Sequence, residues 1–315
     1  MKVRAMTAIN SPFRYAGGKF YARKLITEHI LAHTHYVEPF AGGGSIFFAK
    51  EKAPHSVLND IDPELVNCYI QIRDNVEALI ALLDGIPATK EKHHYFKNDY
   101  KPTNDLERAF RWYYLNRTSY SGIMNMQNCY WGYGDKYSMQ PKNWPAHLRR
   151  CTNKLQGVEI TCRDYEEVIR QAPDEAFLFI DPPYFGADQD KFYTHSFDKP
   201  GHYRLARILR EESHRFNFLL TYDKIKEIKT LYNWANQVLE KEWNYTISRT
   251  DDQTKKTSTK GKRYMGKEIF ILNYGQASGV SLGSLPQQLT LGLPEFEPEV
   301  ASVGHLSREQ LVYAE

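Results

Sequence analysis

An α/β fold built on an open, mostly parallel sheet is predicted by three observations in this 315-residue chain. Short apolar runs suited to strands alternate with segments of helical period. One such run, residues 36–40, leads into the glycine turn Gly42-Gly43-Gly44 and then a helical segment, a place where backbone approaches a ligand closely and side chains would obstruct it. Another, Phe177-Leu178-Phe179-Ile180, ends on Asp181-Pro182-Pro183-Tyr184, so that a strand delivers a carboxylate, a stiff turn and an aromatic ring to one point.

Taken in order, residues 20–33 predict a helix, 36–40 a first strand, 45–52 a helix, 56–59 a second strand and 63–83 a long helix. Further strands are expected near 158–161, 176–180 and 216–222, with helices near 165–171, 202–214 and 224–233. Two last strands, near 237–247 and 268–274, fit a hairpin that closes the sheet with an antiparallel edge. The stretch 86–150 interrupts the alternation, being rich in Tyr, Trp, Asn, Lys and Arg, and is predicted as an inserted lobe. The domain boundaries follow: 1–85 with 151–274 as one domain, 86–150 as the lobe, and 275–315 as an acidic tail expected to be flexible.

Composition bounds the function classes. At 42% hydrophobic the chain suffices for one substantial core and an inserted lobe. No stretch approaches the ~20 apolar residues of a membrane span, and the first residues carry no apolar signal region, so a cytoplasmic protein is expected. Cys68, Cys129, Cys151 and Cys162 show no Cys-x-x-Cys or metal-site spacing, which favours reduced thiols and no bound metal. The net charge of +3 is uneven: the tail holds one Arg against five Glu, a net of −4, which leaves +7 on residues 1–274. A basic body suits nucleic acid.

The Asp181-Pro182-Pro183-Tyr184 tetrad suits chemistry on the amine of a nucleobase. An exocyclic amine is a poor nucleophile because its lone pair is delocalised into the ring, and acceptors for its two hydrogens restore electron density on nitrogen. Asp181 offers one acceptor and the Pro182 carbonyl the other, since the Pro-Pro pair fixes φ and lacks competing amide hydrogens. Tyr184 offers a ring to stack on the base. A strand end followed by a plain proline turn is the competing reading. Gly17-Gly18-Lys19 is no phosphate loop, because Phe20 stands where Ser or Thr is required. The turn at 42–44 lacks the Gly-x-Gly-x-x-Gly spacing of dinucleotide sites and better fits an adenosine cofactor without a pyrophosphate.

Three motifs in sequence, Arg14-Tyr15-Ala16-Gly17-Gly18-Lys19, Glu38-Pro39-Phe40-Ala41-Gly42-Gly43-Gly44-Ser45 and Asp181-Pro182-Pro183-Tyr184, resemble those of the D12-class, Dam-like N6-adenine DNA methyltransferases over roughly residues 12–274. The resemblance implies a Rossmann-like S-adenosylmethionine-dependent methyltransferase sheet with an antiparallel edge strand and an inserted, mainly helical target-recognition lobe. It implies S-adenosyl-L-methionine as cofactor and double-stranded DNA as partner. Tyr15 and Lys19 would border the amino-acid end of the cofactor, with Tyr15 standing where some relatives have Trp. Glu38 would meet the methionine ammonium or else orient the glycine turn, and Phe40, Gly42 and Gly44 would shape the cofactor wall.

Asp60, just after the second strand, stands where an acid accepts ribose hydroxyls. Asp62 competes for that role, but with Pro63 behind it reads as a helix N-cap. For Asp164 two readings stand, a contact to the cofactor adenine or the N-cap of the next helix. Within the lobe, Arg108, Arg111, Asn116, Arg117, Thr118, Ser119 and Tyr120 suit phosphates and base edges, while burial of the neighbouring Trp112, Tyr113 and Tyr114 as lobe core is the alternative for part of the segment. Lys255, Lys256, Lys260, Lys262 and Arg263 stand in a basic stretch without acids, read as a phosphate-contacting loop or a solvated one.

The family resemblance makes GATC the leading recognition site, although Asn116-Arg117-Thr118-Ser119-Tyr120-Ser121-Gly122 departs from the more usual Asn-Arg-x-x-Phe-Asn-Gly. Competing functions are an RNA or N4-cytosine amino methyltransferase and a catalytically silent DNA-binding adaptor. In the tail, Gln288, Leu289, Leu291 and Leu293 resemble the short peptides that dock on the bacterial sliding clamp, against which stands simple packing of three leucines on the domain.

Overall fold

Apolar runs with β-branched and aromatic residues build β1 (His35–Glu38), β2 (His55–Asn59), β3 (Glu159–Thr161), β4 (Phe177–Ile180), β5 (Asn217–Asp223), β6 (Gln237–Tyr245) and β7 (Tyr264–Leu272). A computed structural model of the chain describes residues 9–15, 17–135, 138–185, 195, 197–245 and 264–275. The strands form one seven-stranded sheet in the order β3-β2-β1-β4-β5-β7-β6. The first five pair in parallel, and β7 lies antiparallel between β5 and β6, the antiparallel edge that the sequence predicts. The chain runs outward from β1 to β3 and returns to β4, so the strand order reverses between β1 and β4. Ligands of open α/β sheets bind outside the carboxyl ends of the strands at such a switch point.

Period-two alternation splits the sheet side chains between two cores. Tyr36, Leu58, Phe177, Phe179, Leu219, Phe270 and Leu272 pack on one face, and Val37, Leu178, Ile180, Leu220, Tyr222, Ile269 and Ile271 on the other. Each such buried side chain contributes roughly 1.5–3 kcal/mol relative to exposure. The first face is covered by α1 (Arg23–Thr27), α2 (Ser45–Ala49), α3 (Pro63–Asp74), α4 (Val76–Leu83), α5 (Lys90–Asn98), α6 (Asp105–Thr118) and α7 (Trp144–Leu155). The second carries α8 (Tyr165–Gln171), α9 (Lys199–Glu212) and α10 (Lys226–Leu231).

Two helices differ from expectation. The predicted helix 63–83 is broken at Asn75, whose backbone leaves the helical region (φ −130°, ψ 31°) while its amide donates to the Gln71 side chain at 2.8 Å. The Asn75 N–H still closes α3 on the Gln71 carbonyl at 2.9 Å, and no Pro or Gly announces the break. The predicted helix 20–33 is only the five residues of α1, because Thr27 Oγ1 and the His29 ring bind the Lys24 and Leu25 carbonyls at 2.9 and 2.8 Å and close the last turn.

The interrupting segment supplies α5, α6 and the start of α7; α5 packs on α6, and α6 and α7 pack on α3 and α4. Phe96, Phe110, Trp112, Tyr113, Tyr114 and Trp144 are buried in the same cluster as the first sheet face. The aromatic-rich stretch therefore contributes core as well as surface.

Candidate active site

Asp181 is the first residue beyond β4, and its carboxylate is held from two sides. The Lys19 ammonium donates to Oδ1 at 2.6 Å and to Oδ2 at 2.7 Å, and Thr221 of the neighbouring β5 donates to Oδ1 at 2.6 Å. Lys19 is 3% exposed and Asp181 18%, so the pair sits in a largely dry pocket where its attraction is little screened. Lys19 also donates to the Gly17 carbonyl at 3.2 Å and stands 4.8 Å from the centre of the Tyr184 ring. Pro182 is buried and Pro183 half-buried. The N-terminal motif and the tetrad, 162 residues apart in sequence, thus meet at one ion pair.

The glycine turn follows β1. Gly42 has φ +46°, and a Cβ there would lie 2.9 Å from the Tyr15 ring; Gly44 has φ +63°, and a Cβ there would lie 2.8 Å from Tyr69 Oη. Both positions therefore require glycine on two counts. Tyr15 covers the turn, Ser11 Oγ donates to the Gly43 carbonyl, and Tyr69 Oη donates to the Gly42 carbonyl at 2.9 Å.

Glu38, 1% exposed, ends β1 and accepts from Tyr36 Oη at 2.7 Å and from the Phe47 amide at 2.8 Å, both on Oε1. It therefore ties the strand to α2 across the turn. Burial, opposed by these two bonds, pushes its carboxyl up to about 8.

After β2, Asp60 spans two loops: Oδ2 accepts from the Gly42 amide at 2.8 Å and Oδ1 from the Asp62 amide at 3.0 Å. Burial raises its carboxyl to about 6 against the pull of those amides. Asp62 caps α3, accepting from Glu64 at 2.9 Å and Leu65 at 3.3 Å, with Pro63 at the first helical position as its sequence suggests. Asn59 fastens three strand ends together. Its Nδ2 donates to the Pro39 and Arg163 carbonyls, both at 3.0 Å, and its Oδ1 accepts from Thr161 Oγ1 at 2.7 Å and the Arg163 amide at 2.9 Å.

Phe40 stacks on Tyr165 with ring centres 5.1 Å apart and meets Phe197 edge-on at 5.5 Å. A flat aromatic wall, backbone amides of a glycine turn and the Asp60 carboxylate thus gather outside the carboxyl ends of β1 and β2, a donor set suited to a nucleoside. Asp164 caps α8, accepting from Glu166 at 2.9 Å, and its other oxygen pairs with Arg204 at 2.7 Å.

The lobe residues divide by burial. Asn116 and Ser119 are fully buried and Arg117 nearly so. Asn116 grips the Arg14 backbone, and Arg117 Nη1 reaches the Pro12 carbonyl at 3.5 Å. Arg111 closes the end of α5 through the Phe96 and Lys97 carbonyls at 2.6 and 2.8 Å. Their polar types suit DNA in sequence, yet in the fold these three side chains hold protein backbone. Tyr120, by contrast, is 45% exposed at the start of a short 3₁₀ turn, Tyr120–Gly122. Lys255, Lys256, Lys260, Lys262 and Arg263 lie outside the described residues, as do Gln288, Leu289, Leu291, Leu293 and the tail.

Sequence reasoning missed Thr221, Asn59 and Glu268. Thr221 is a buried hydroxyl within β5, Asn59 is the buried last residue of β2, and Glu268 is a lone acid before Ile269-Phe270-Ile271-Leu272. A polar side chain in a fully buried strand has to find a partner, and that is the signal that would have found them.

Comparison with known proteins places the chain in a family. The chain is 28% identical over 261 residues to the Type II methyltransferase M1.LlaDCHI of Lactococcus lactis subsp. cremoris, covering 77% of this chain and 87% of that protein. It is 28% identical to the Type II methyltransferase M.MjaIII of Methanocaldococcus jannaschii, covering 64% and 79%. It is 26% identical to the DNA adenine methylase of Escherichia coli, covering 62% and 73%. With a family model matching residues 15–247, the chain belongs to the D12 class of N6 adenine-specific DNA methyltransferases.

Proposed function

We propose that this DNA methyltransferase takes its methyl group from S-adenosyl-L-methionine and places it on N6 of an adenine turned out of duplex DNA. The observation that carries this reading is the Asp181 carboxylate, fixed by Lys19 and Thr221 beside Tyr184. S-adenosylmethionine supplies an electrophilic methyl carbon on a sulfonium.

The chain's own residues do the rest. Asp181 and the Pro182 carbonyl accept the two amine hydrogens, Tyr184 stacks on the base, and the nitrogen is held in line for attack, which makes the step effectively intramolecular. No strong base is needed beforehand, because the amine becomes acidic only as its new bond forms. Asp60 accepts the ribose hydroxyls, Phe40 and Tyr15 line the wall above the glycine turn, and Asp164 borders the adenine. Lys19, spent on Asp181, supports that carboxylate, and Glu38 fixes the turn through Phe47.

Residues 86–150 serve as the target-recognition lobe of a catalytic domain made of 1–85 and 151–274, with Tyr120, 45% exposed, offered to DNA. Arg111, Asn116, Arg117 and Ser119 support that surface from behind. The basic residues Lys255, Lys256, Lys260, Lys262 and Arg263 add phosphate contacts. A DNA substrate puts the work in the cytoplasm, and no helix among the described residues is long and apolar enough to cross a membrane.

Incubation with radiolabelled S-adenosylmethionine and unmethylated DNA, followed by single-molecule mapping of methylated adenines, tests the activity and the GATC assignment together. Label appearing only in RNA or in cytosine refutes it. We propose further that Gln288, Leu289, Leu291 and Leu293 tether the enzyme to a sliding clamp, raising effective concentration on DNA without new contacts at the site. Equal recovery by purified clamp of the full chain and a triple Leu289→Ala, Leu291→Ala, Leu293→Ala variant rules the tether out.

A further inference from the structure

Glu268 of β7 is 2% exposed, and the Tyr184 hydroxyl faces its carboxyl. In register it lies opposite Asp223 of β5 and Lys241 of β6. Two residues on, Phe270 pairs with Thr221, the residue that donates to Asp181. Alternation along the strands puts Glu268, Asp223 and Thr221 on one face of the sheet.

The groups that act on Glu268 are those of the site itself: the Lys19 ammonium, the Asp181 and Asp223 carboxylates and the Tyr184 hydroxyl. The Lys241 ammonium stands 5.9 Å over the Phe270 ring, and the His29 ring meets Phe270 from α1's side at 5.5 Å. A buried acid short of donors is costly in its charged form. Burial pushes this carboxyl up to about 8, so it holds its proton at neutral pH.

We propose that Glu268 is a positioning residue that sets how firmly Lys19 rests on Asp181, on the reading that Asp181 accepts the target amine. With Glu268 neutral, the ammonium is drawn wholly onto the two Asp181 oxygens. When Glu268 gives its proton to the buffer, a second carboxylate competes for the ammonium, and Asp181 turns a lone pair toward the incoming N–H. Only an O–H bond is broken in this step, and methyl transfer speeds up as Glu268 ionises.

The test is single-turnover methylation of unmethylated plasmid DNA with tritiated S-adenosylmethionine, across about pH 6 to 9, for the wild type, E268Q, E268D, E38Q and D181A. The wild-type rate should rise several-fold through an inflexion near 8. E268Q should abolish that inflexion and E268D restore it at a shifted pH. E38Q should keep it, which separates Glu268 from Glu38, also raised to about 8 and also felt by Asp181. An E268Q profile that superimposes on the wild type, or an equal loss at every pH in both E268Q and E268D, overturns the role.

If E268Q fails to fold, carboxyl ¹³C NMR of the full chain labelled on glutamate decides. Loss in E268D of a signal that titrates near 8 in the wild type supports the role, and loss of a signal that titrates in the ordinary carboxylate range overturns it. Full turnover in D181A refutes the acceptor reading of Asp181 itself, whereas lost turnover there with a pH-independent Glu268 effect refutes only the positioning role.

Discussion

Asn116 clasps the backbone of Arg14 through both ends of its amide: Oδ1 accepts the Arg14 N–H at 2.9 Å, and Nδ2 donates to the Arg14 carbonyl at 2.7 Å. One buried side chain of α6 thereby docks the N-terminal motif, whose next residue, Tyr15, covers the glycine turn. The same grip explains Gly122, where a Cβ would come within 2.2 Å of the Arg14 carbonyl oxygen.

Asn116→Ala should strand two buried backbone groups and cost about 1–3 kcal/mol of stability. Because Tyr15 is released with Arg14, affinity for S-adenosylmethionine should fall as well. Denaturant unfolding and calorimetric titration measure the two effects. Unchanged stability and cofactor affinity with impaired DNA discrimination would instead make Asn116 a reader of bases.

Asp181→Ala should lower single-turnover methylation by ~10²-fold or more, since it removes an acceptor realised fully only as the amine attacks. Lys19→Met should also be severe for a different reason. It leaves the Asp181 carboxylate in a dry pocket with Thr221 as its remaining bonded side chain among the described residues, and removing one member of a buried pair costs ~3–5 kcal/mol. Near wild-type turnover in either variant, measured with tritiated cofactor, removes the pair from the site.

Asp60→Ala should weaken S-adenosylmethionine binding by ~1.5–3 kcal/mol for each charge-assisted bond removed, with DNA affinity nearly unchanged. The Gly42 and Asp62 amides lose their acceptor at the same time, so the glycine turn loosens too. Asp62→Ala should act on stability instead, through the N-cap of α3, by about 1 kcal/mol. Calorimetry that shows the reverse pattern would move the ribose contact to Asp62.

Much of this is legible in the chain, for reasons that differ by residue. The Asp181 tetrad and the glycine turn can be read because local chemistry fixes them: prolines set φ, and positive φ at Gly42 and Gly44 demands glycine. Asp62 can be read as a cap from the proline behind it. What cannot be read are jobs defined by distant partners. Asn116 and Arg111 look like DNA-contacting groups until the fold brings the Arg14 backbone and the end of α5 against them. Lys19 reads as a residue bordering the cofactor, and its bond to Asp181, 162 residues away, is visible only in the fold. The break at Asn75 comes with no Pro or Gly to mark a helix end.

Glu38 should make the protein less stable as pH rises. Its folded carboxyl titrates at about 8 against an ordinary value of 4.5, so between those values the folded protein keeps a proton that the unfolded chain has lost. Stability therefore falls with pH through this window and levels off above it. Glu38→Gln keeps an acceptor for Phe47 and removes the titration, so its melting temperature should gain on the wild type between pH 6 and pH 9. Parallel curves for the two proteins across that range would show Glu38 to be ionised throughout.

Neutralising Lys255, Lys256, Lys260 and Lys262 together should weaken binding to every DNA sequence alike. Phosphate contacts position a protein without reading bases, and each phosphate left unneutralised takes about 0.9 off the slope of log affinity against log salt. The slope therefore reports how many of the four lysines reach phosphate, whatever the recognition sequence. The ratio of affinities for methylatable and scrambled duplexes should survive, because base readout is assigned to residues 86–150. Fluorescence anisotropy at a series of salt concentrations gives both quantities from one titration set. An unaltered slope would leave these lysines as solvated charges, and a collapsed ratio would make the segment part of the reading head.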